Sequence, residues 1–318
     1  MRLTSNGEDS SVNSHLHIAA DCAEQPARSL ETLYACILCG EANFRVIDPG
    51  ANICECLSCG YLFDNPRPTI ESLVSFYSQP TKYDSWLADG RGRDLLWKRR
   101  LKLLLRVRKP GSLLDAGSGI AQFLAVARPY FDEVFGTEVS DSAIDIAKRK
   151  YGLNLMRGEI DKIDFGRIKF DNITLFHVLE HVPNPKLTIE RCASLLNKGG
   201  VLMIAVPNDL YCLRNGQFFR TNKIRSSQVA GPLGIPRIVL DGSLGEIHLS
   251  HFTSAVLGKL LASSGFSVIS STLDPYYVGV GLAKWKQATY FNMCKTIYWL
   301  TGMNIYDTIL VTARKDTD

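Results

Sequence analysis

The sequence lacks long apolar runs and a strong charge of either sign. No stretch offers the about 20 uninterrupted apolar residues that a membrane-spanning helix needs, and the most apolar late segment, residues 296–310, is interrupted by Asn304 and Asp307. With 36 basic and 32 acidic residues the net charge is only +4, which favours neither nucleic acid nor an anionic membrane as a partner. The polar start has no apolar core of a secretion signal. We therefore expect a soluble, cytoplasmic protein with no membrane span and a disordered tail over residues 1–30.

Hydrophobic residues make up 46% of the 318 residues, enough for one large α/β core and a smaller appendage. Nine cysteines in a cytosolic chain of this size are more often metal ligands or free thiols than disulfides. The predicted organisation is a zinc-ribbon module at 31–65, a linker with helices at 66–109, and a catalytic domain at 110–318 with insertions at about 211–245 and 275–303.

Four cysteines form two CxxC pairs, each followed by a glycine and separated by the sixteen residues from Gly40 to Glu55. Such pairs bring two thiolates to one ion from a tight turn, and four thiolates make a closed, structural zinc site. The predicted ligands are Cys36, Cys39, Cys56 and Cys59. Cys54 is taken as a strand residue outside this set, and a redox dithiol or a disulfide is the alternative.

A glycine-rich turn follows the apolar run that ends at Asp115, and a helix is predicted over Ile120–Ala127. Glycines there let a ligand approach the backbone closely. The turn alone is a weak signal, but Gln122 stands where a dinucleotide fingerprint has a small residue, so a nicotinamide dehydrogenase is disfavoured. The next predicted strand ends on Glu138, a position from which a carboxylate can accept hydrogen bonds from ribose hydroxyls.

Strands and helices alternate regularly after residue 112, which predicts a parallel sheet with right-handed crossovers. The later predicted strands are Leu153–Arg157, Phe170–Phe176, Val201–Val206 and a final one at Ile305–Lys315. The predicted helices between them are Asp141–Lys150 and Leu187–Leu196. A basic amphipathic helix is also predicted over Trp97–Lys109, with one buried face and one solvated cationic face.

The segments LLDAGSGIAQFL, VFGTE, FDNITLFHVLEHVPNP, LLNKGGVLMIAVPN and HLSHFTSAVLGKLLASSGF together resemble the class I S-adenosylmethionine-dependent methyltransferases. The resemblance spans about residues 110–315 and is nearest to the bacterial group that includes ubiquinone-biosynthesis and sugar methyltransferases. The cysteine module joined to NPRPT is similar to the zinc-binding N-terminus of many members. This implies an α/β, Rossmann-like fold with a mostly parallel seven-stranded sheet, and S-adenosyl-L-methionine (SAM) and structural Zn²⁺ as cofactors.

The resemblance also implies roles for individual residues around the cofactor. Asp115, Gly117 and Gly119 would line its methionine part, Glu138 would hold the ribose, Glu159 would meet the adenine, and Phe176 and His177 would border the sulfonium. Glu159 could instead be a loop charge. A metal site formed by His177, Glu180 and His181 is a second alternative, although the resemblance explains this segment as a structural turn.

The candidates for an acceptor-activating base lie together in one segment, at Glu246, His248 and His251. His248 is the first choice and His251 the second; the alternative is that one or both histidines pack against or cap the next helix. The insertion after the fifth strand is cationic, which would suit a phosphorylated or nucleotide-linked substrate. Its basic residues are Arg214, Arg220, Lys223, Arg225 and Arg237. Together with the resemblance, this charge predicts methyl transfer to a small molecule, at a hydroxyl or carbon of a sugar, nucleotide-sugar or polysaccharide precursor.

The second insertion is rich in aromatic residues, which predicts contact with a sugar ring, an apolar acceptor or a second subunit in a homodimer. The competing function is an RNA or protein methyltransferase that docks its substrate on the zinc ribbon. Nucleic acid is disfavoured because Arg45 is the only base between Cys36 and Cys59.

Overall fold

The computed structural model describes residues 29–78, 83–88, 90–213, 232–241 and 244–316. Nearly all of the predicted tail and four of the basic residues of the first insertion, Arg214, Arg220, Lys223 and Arg225, lie outside these ranges; Arg237 is described and exposed. Among the described residues, no helix combines the length and the apolar character needed to cross a membrane.

The described chain forms thirteen strands and eight helices. The strands are β1 (Leu30–Glu31), β2 (Phe44–Asp48), β3 (Ile53–Cys56), β4 (Leu62–Asp64), β5 (Arg67–Pro68), β6 (Leu113–Ala116), β7 (Val134–Glu138), β8 (Met156–Arg157), β9 (Phe170–Phe176), β10 (Leu196–Pro207), β11 (Ser250–His251), β12 (Phe266–Leu273) and β13 (Thr308–Lys315). The helices are α1 (Ile70–Tyr77), α2 (Asp84–Ala88), α3 (Gly90–Leu105), α4 (Gln122–Ala127), α5 (Asp141–Ile146), α6 (Pro185–Leu195), α7 (Ser254–Ser263) and α8 (Gly281–Thr301).

Seven strands form the central sheet in the order β12-β13-β10-β9-β6-β7-β8. The five strands from β10 to β8 are parallel, and β13 pairs antiparallel with both β10 and β12. The order reverses at β6, so β6 and β9 are neighbours although two strands separate them in sequence. This arrangement confirms the predicted α/β, Rossmann-like methyltransferase fold, and it places the carboxyl ends of β6, β7 and β9 at one edge of the sheet.

Strand β10 shows why this sheet is buried on both faces. Leu202, Ile204 and Val206 pack into the cluster that holds α6 and α7, whereas the alternate residues Val201 and Met203 pack into the cluster that holds α3 and α4. All five are fully buried or nearly so. The apolar run without alternation is the expected pattern of a parallel strand covered by helices on both sides.

Several boundaries differ from the sequence prediction for local reasons. The helix predicted from Ile120 begins at Gln122 because Ala121 adopts a left-handed conformation, with φ of +60°. The helix predicted at Asp141–Lys150 continues as a π-helical turn over Ala147–Tyr151. Strands β8 and β13 are shorter than predicted. The basic helix begins earlier, at Gly90, and the prediction of a solvated cationic face is wrong for Arg100, which is fully buried.

The N-terminal module and the catalytic domain share a second sheet, in the order β11-β4-β3-β2. Strand β11 comes from the catalytic domain, and its Ser250 pairs with Phe63 of β4. The Tyr61 hydroxyl lies 2.5 Å from Ser250 Oγ, and both residues are buried. The module is therefore built into the same core as the catalytic domain.

Candidate active site

The loop from β6 to α4 turns tightly against two neighbouring walls. Gly117 and Gly119 have φ of +67° and +54°, a conformation that favours glycine. A Cβ atom would lie 2.6 Å from the Val178 side chain at the first position and 2.8 Å from the Trp86 ring at the second. A larger residue at either position would be strained in its backbone and crowded by these side chains. The close approach of this backbone to a ligand stays a prediction.

Asp115 is the next-to-last residue of β6 and faces a cavity of about 700 Å³. Its side chain is almost fully buried, and Oδ1 accepts a 2.6 Å hydrogen bond from the Thr174 hydroxyl on the adjacent β9. Burial raises the pKa of Asp115 to about 7, and the hydrogen bond from Thr174 opposes that rise only in part. This carboxyl group is therefore poised to ionise when a cation binds beside it.

Glu138 ends β7 one strand away and faces the same cavity. Its Oε2 accepts a 2.7 Å hydrogen bond from the amide of Gly119, and its Oε1 accepts 2.9 Å bonds from the amides of Val139 and Ser140. Burial raises the pKa of this carboxyl group, while these three amides favour the charged form. Glu138 thus fixes the glycine loop and keeps lone pairs that could accept hydrogen bonds from hydroxyl groups of a ligand.

Helix α3 supplies a wall of the cavity. This helix lies in the region 66–109, which was predicted to be a linker with helices. Arg93 donates a 2.7 Å hydrogen bond from Nε to Gln122 Oε1, and the Trp97 indole donates to the same oxygen at 3.3 Å. Arg93, Trp97 and Arg100 all line the cavity. Their spacing of four and three residues puts them on one helix face. This spacing is the feature of the sequence from which a cavity wall in α3 could have been predicted.

The buried guanidinium of Arg100 forms an ion pair with Asp274, which follows β12. Its Nε lies 3.1 Å from both carboxylate oxygens, and neither side chain is exposed to solvent. The guanidinium carbon also lies 4.7 Å from the centre of the Phe176 ring. Because a buried ion pair is costly when one partner is missing, this contact fixes α3 against the far edge of the sheet.

Phe176 and His177 lie where β9 ends at the cavity, as the resemblance implied. The Phe176 ring packs edge-on against Phe123, with centroids 4.9 Å apart. His177 has φ of +56°, and its amide donates to the Ala205 carbonyl. This turn aims its Nδ1 at Glu180 Oε1, 3.2 Å away, and places its ring 4.9 Å from the Tyr276 ring, centre to centre, in a tilted arrangement.

Glu159 also lines the cavity, directly after Gly158. Its Oε2 lies 3.1 Å from Lys162 Nζ, so part of its charge is balanced by a partly exposed lysine. The position is compatible with the adenine role that the resemblance implied, and that role stays a prediction.

The base candidates are distributed unequally around the cavity. Glu246 lines it, and His248 lies behind Glu246, with Nε2 3.7 Å from Glu246 Oε2 and Nδ1 3.4 Å from Asp209 Oδ2. The neighbouring His248 imidazole lowers the pKa of Glu246 to about 2 against the opposing effect of burial. Glu246 is therefore the candidate that can touch a bound acceptor directly.

His251 is 1% exposed and does not line the cavity. Its Nδ1 lies 2.8 Å from Asp209 Oδ2, and its Nε2 lies 2.9 Å from Asp64 Oδ2 of β4. Burial alone would lower the pKa of His251, but the hydrogen bonds of Asp209 and Asp64 outweigh it and raise the pKa to about 9. The structure thus places a buried, protonated histidine between two carboxylates, joining the N-terminal module to the segment that carries Glu246.

The four predicted zinc ligands come together at the tip of the N-terminal module. The sulfur atoms of Cys36 and Cys59 are 3.6 Å apart, those of Cys39 and Cys56 are 3.5 Å apart, and all four lie within 4.8 Å of one another. A tetrahedral zinc with Zn–S bonds of about 2.3 Å has S···S edges of about 3.8 Å. Cys54 lies outside this cluster, as predicted.

A family model described as a methyltransferase domain matches residues 90–271. This match covers more than half of the 318 residues, so the chain belongs to that family of methyltransferase domains, as the sequence resemblance indicated.

Among curated proteins, the chain is 32% identical over 101 residues to the ubiquinone biosynthesis O-methyltransferase of Coxiella burnetii, a match that covers 30% of this chain and 43% of the relative. It is 27% identical over 125 residues to an uncharacterized protein of Methanocaldococcus jannaschii, which covers 39% of this chain and 57% of that protein. The chain thus spans about half the length of the curated relatives that it matches.

Two solved structures are similar over most of the chain. An S-adenosylmethionine-dependent methyltransferase from Mesorhizobium loti is 18% identical, with a TM-score of 0.48, over 68% of this chain and 96% of the other. The magnesium protoporphyrin IX methyltransferase from Synechocystis, with bound SAM, is 14% identical, with a TM-score of 0.41, over 71% and 80% of the two chains.

Proposed function

We propose that this protein is a SAM-dependent methyltransferase that methylates a small molecule. The observation that carries the proposal is the cavity over the carboxyl ends of β6, β7 and β9, where Asp115 and Glu138 stand on adjacent strands around the glycine loop. Membership in the methyltransferase-domain family supports the same activity.

The residues around the cavity fit the chemical groups of SAM. Asp115 offers a carboxylate to an ammonium group, and Glu138 offers free lone pairs to ribose hydroxyls. A volume of about 700 Å³ lies within the range expected for a cofactor site. When bound, SAM supplies a methyl group on a positively charged sulfur.

The protein's contribution to methyl transfer would be mainly positioning. Phe176 and His177 would border the reacting carbon, and α3 and Tyr276 would close the cavity against water. Glu246 would accept the proton of the acceptor. His248 and His251 would act as positioning residues: His248 orients Glu246, and His251 fixes Asp209, which contacts both histidines.

The proposed acceptor is a sugar or nucleotide-sugar hydroxyl or carbon. Support for this class comes from the cationic insertion in the sequence and from the polar wall at Glu246 and Tyr276. The one base of the ribbon, Arg45, forms an ion pair with Glu55 at 2.9 Å, so the ribbon presents little free positive charge to an RNA.

We also propose that the four-cysteine cluster holds one structural Zn²⁺. Its S···S distances of 3.5 and 3.6 Å support this proposal, because thiol groups held this close suit a shared cation. Since β11 belongs to the same sheet, the metal would stabilise the segment that carries Glu246.

Calorimetry with S-adenosylhomocysteine and with NAD tests the proposed cofactor. We expect binding of S-adenosylhomocysteine only, and a loss of about tenfold or more in affinity for Glu138→Ala. Glu133→Gln is the matched control, because Glu133 is exposed and precedes the opposite end of β7. Equal affinities for wild type and Glu138→Ala would contradict the assigned cofactor site.

An acceptor screen with methyl-labelled SAM tests the substrate class. Sugar nucleotides, simple phenols, a bulk tRNA fraction and a mixed protein fraction are offered in parallel. Label in the sugar nucleotides supports the proposed acceptor, and label confined to tRNA or protein would refute it in favour of a macromolecular substrate.

A further inference from the structure

A second cluster of metal-binding side chains lies at the acceptor wall of the cavity, apart from the four cysteines. Glu180 and His181 follow β9, and His248 comes from the segment before β11. Each offers one ligand atom, and these three atoms lie within 4.8 Å of one another. His181 Nε2 is 3.7 Å from Glu180 Oε1, and the rings of His181 and His248 have centroids 5.1 Å apart.

The hydrogen bonds behind both histidines fix which ring nitrogen is available to a cation. His181 Nδ1 lies 2.6 Å from the Ile247 carbonyl oxygen, which can only accept, and 2.9 Å from the Tyr77 hydroxyl, which itself donates to that carbonyl at 3.1 Å. The short contact with the carbonyl favours the proton on Nδ1. His248 Nδ1 faces the Asp209 carboxylate at 3.4 Å and donates in the same way. In His181 the lone pair of Nε2 therefore points toward the cluster. In His248 Nε2 also faces Glu246 Oε2, 3.7 Å away, so a cation bound there would take the place of the proton on Nε2. A backbone carbonyl or a carboxylate behind the distal nitrogen is the usual support of a metal-binding histidine.

Two atoms of the cluster have no hydrogen-bond partner among the described residues, although both are buried. They are Glu180 Oε2 and His248 Nε2. Glu180 has no exposed surface, and an unsatisfied buried carboxylate oxygen is costly. A purely structural network would leave these atoms satisfied, whereas a cation would be a partner for both at once.

The cluster also has an open side that faces the cavity. His181 and Glu246 line the cavity, while Glu180 and His248 lie just behind it. Three protein ligands with an open side suit an ion that also binds a substrate atom. Two imidazoles and one carboxylate select a divalent first-row transition ion rather than Ca²⁺ or Mg²⁺, which prefer oxygen ligands.

We propose that Glu180, His181 and His248 bind one divalent transition-metal ion at the acceptor end of the cavity, where it holds an oxygen of the methyl acceptor. The acceptor role rests on the proposed methyltransferase function. The metal site does not, because it can be measured without any turnover. In this arrangement His248 is a metal ligand, and Glu246 remains the group that faces the acceptor proton.

Manganese binding to the zinc-loaded full-length protein tests the site directly. Mn²⁺ is titrated into the protein, and the concentration of the free ion is followed by electron paramagnetic resonance. Mn²⁺ is the ion used because it suits nitrogen and oxygen ligands and should leave the four thiolates to zinc. We expect one bound Mn²⁺ with nitrogen couplings from coordinated imidazole, and at least about tenfold weaker binding in Glu180→Gln and in His248→Asn. Glu190→Gln is the matched control, because Glu190 is exposed on α6 and forms a surface ion pair with Lys186.

Each outcome supports or overturns the site. Unchanged Mn²⁺ binding in both variants would place the ion elsewhere, and no bound equivalent in the wild type would refute the site outright. If Glu180→Gln does not fold, His248→Asn decides, because His248 is partly exposed and tolerates a polar replacement better. Calorimetry with S-adenosylhomocysteine separates the two proposals: cofactor binding without Mn²⁺ binding refutes the metal site alone, and the converse refutes the methyltransferase function alone.

Discussion

Replacing Asp115 with asparagine should stabilise the protein at alkaline pH and weaken its affinity for the cofactor. Asp115 is 3% exposed, and burial raises its pKa from 3.8 to about 7. Because the folded-state pKa lies above the unfolded value, this group favours folding fully below about pH 4, and that contribution is lost as the pH rises through about 7. Asparagine keeps an oxygen for the Thr174 hydroxyl but does not ionise.

The pKa difference sets the size of the effect. A shift of about three pKa units corresponds to about 4 kcal/mol lost from the free energy of unfolding once Asp115 is fully charged. About half of this, ~2 kcal/mol, is lost between about pH 5.5 and about pH 8. The difference in unfolding free energy between wild type and Asp115→Asn should therefore change by ~2 kcal/mol across that interval, whatever other groups titrate in both proteins.

Urea unfolding of both proteins at the two pH values measures this difference. Calorimetry with S-adenosylhomocysteine at about pH 8 measures the functional side, where we expect about tenfold to hundredfold weaker binding by Asp115→Asn because a charged hydrogen-bond acceptor is lost. A stability difference that is constant with pH would refute the reasoning, since it would mean that Asp115 ionises normally despite its burial.

Two further predictions concern the long-range contacts. Arg100→Met should lower the free energy of unfolding by about 3–5 kcal/mol, because Asp274 is left buried and unpaired. The double variant with Asp274→Leu should recover part of that loss. Urea unfolding of the three proteins measures both effects, and a double variant that is the least stable of the three would contradict the reasoning. Cys39→Ser should remove one zinc equivalent, measured by elemental analysis, and lower the melting temperature. The affinity for S-adenosylhomocysteine should change by less than about threefold, because Cys39 is exposed and does not line the cavity. Retention of zinc by this variant would argue against the four-thiolate site.

The sequence determined those features whose signal is local. The glycine turn after Asp115, the carboxylate that ends the next strand and the spacing of the two CxxC pairs each lie within a few residues, and the structure places them as predicted. Alternation of strands and helices likewise fixed the parallel sheet, because a right-handed crossover leaves few other topologies.

Local sequence patterns could not predict which distant segments of the chain pack together around the cavity. The basic helix was predicted to carry a solvated cationic face, yet Arg100 of α3 is buried against Asp274, 174 residues later. His251 was a base candidate because a histidine follows the fifth strand there, and only its position between Asp64 and Asp209 shows that it is buried away from the cavity.

The same limit applies to the N-terminal module and to the proposed metal site. Tyr61 meets Ser250 across 189 residues, and His248 joins Glu180 and His181 only because β11 brings its segment to the end of β9. Sequence periodicity records which face of an element is buried, but not which element covers it. The sequence therefore determined the fold, the glycine loop and the carboxylate that ends β7, and the tertiary packing decided the cavity wall at Glu246, where the residues come from separate parts of the chain.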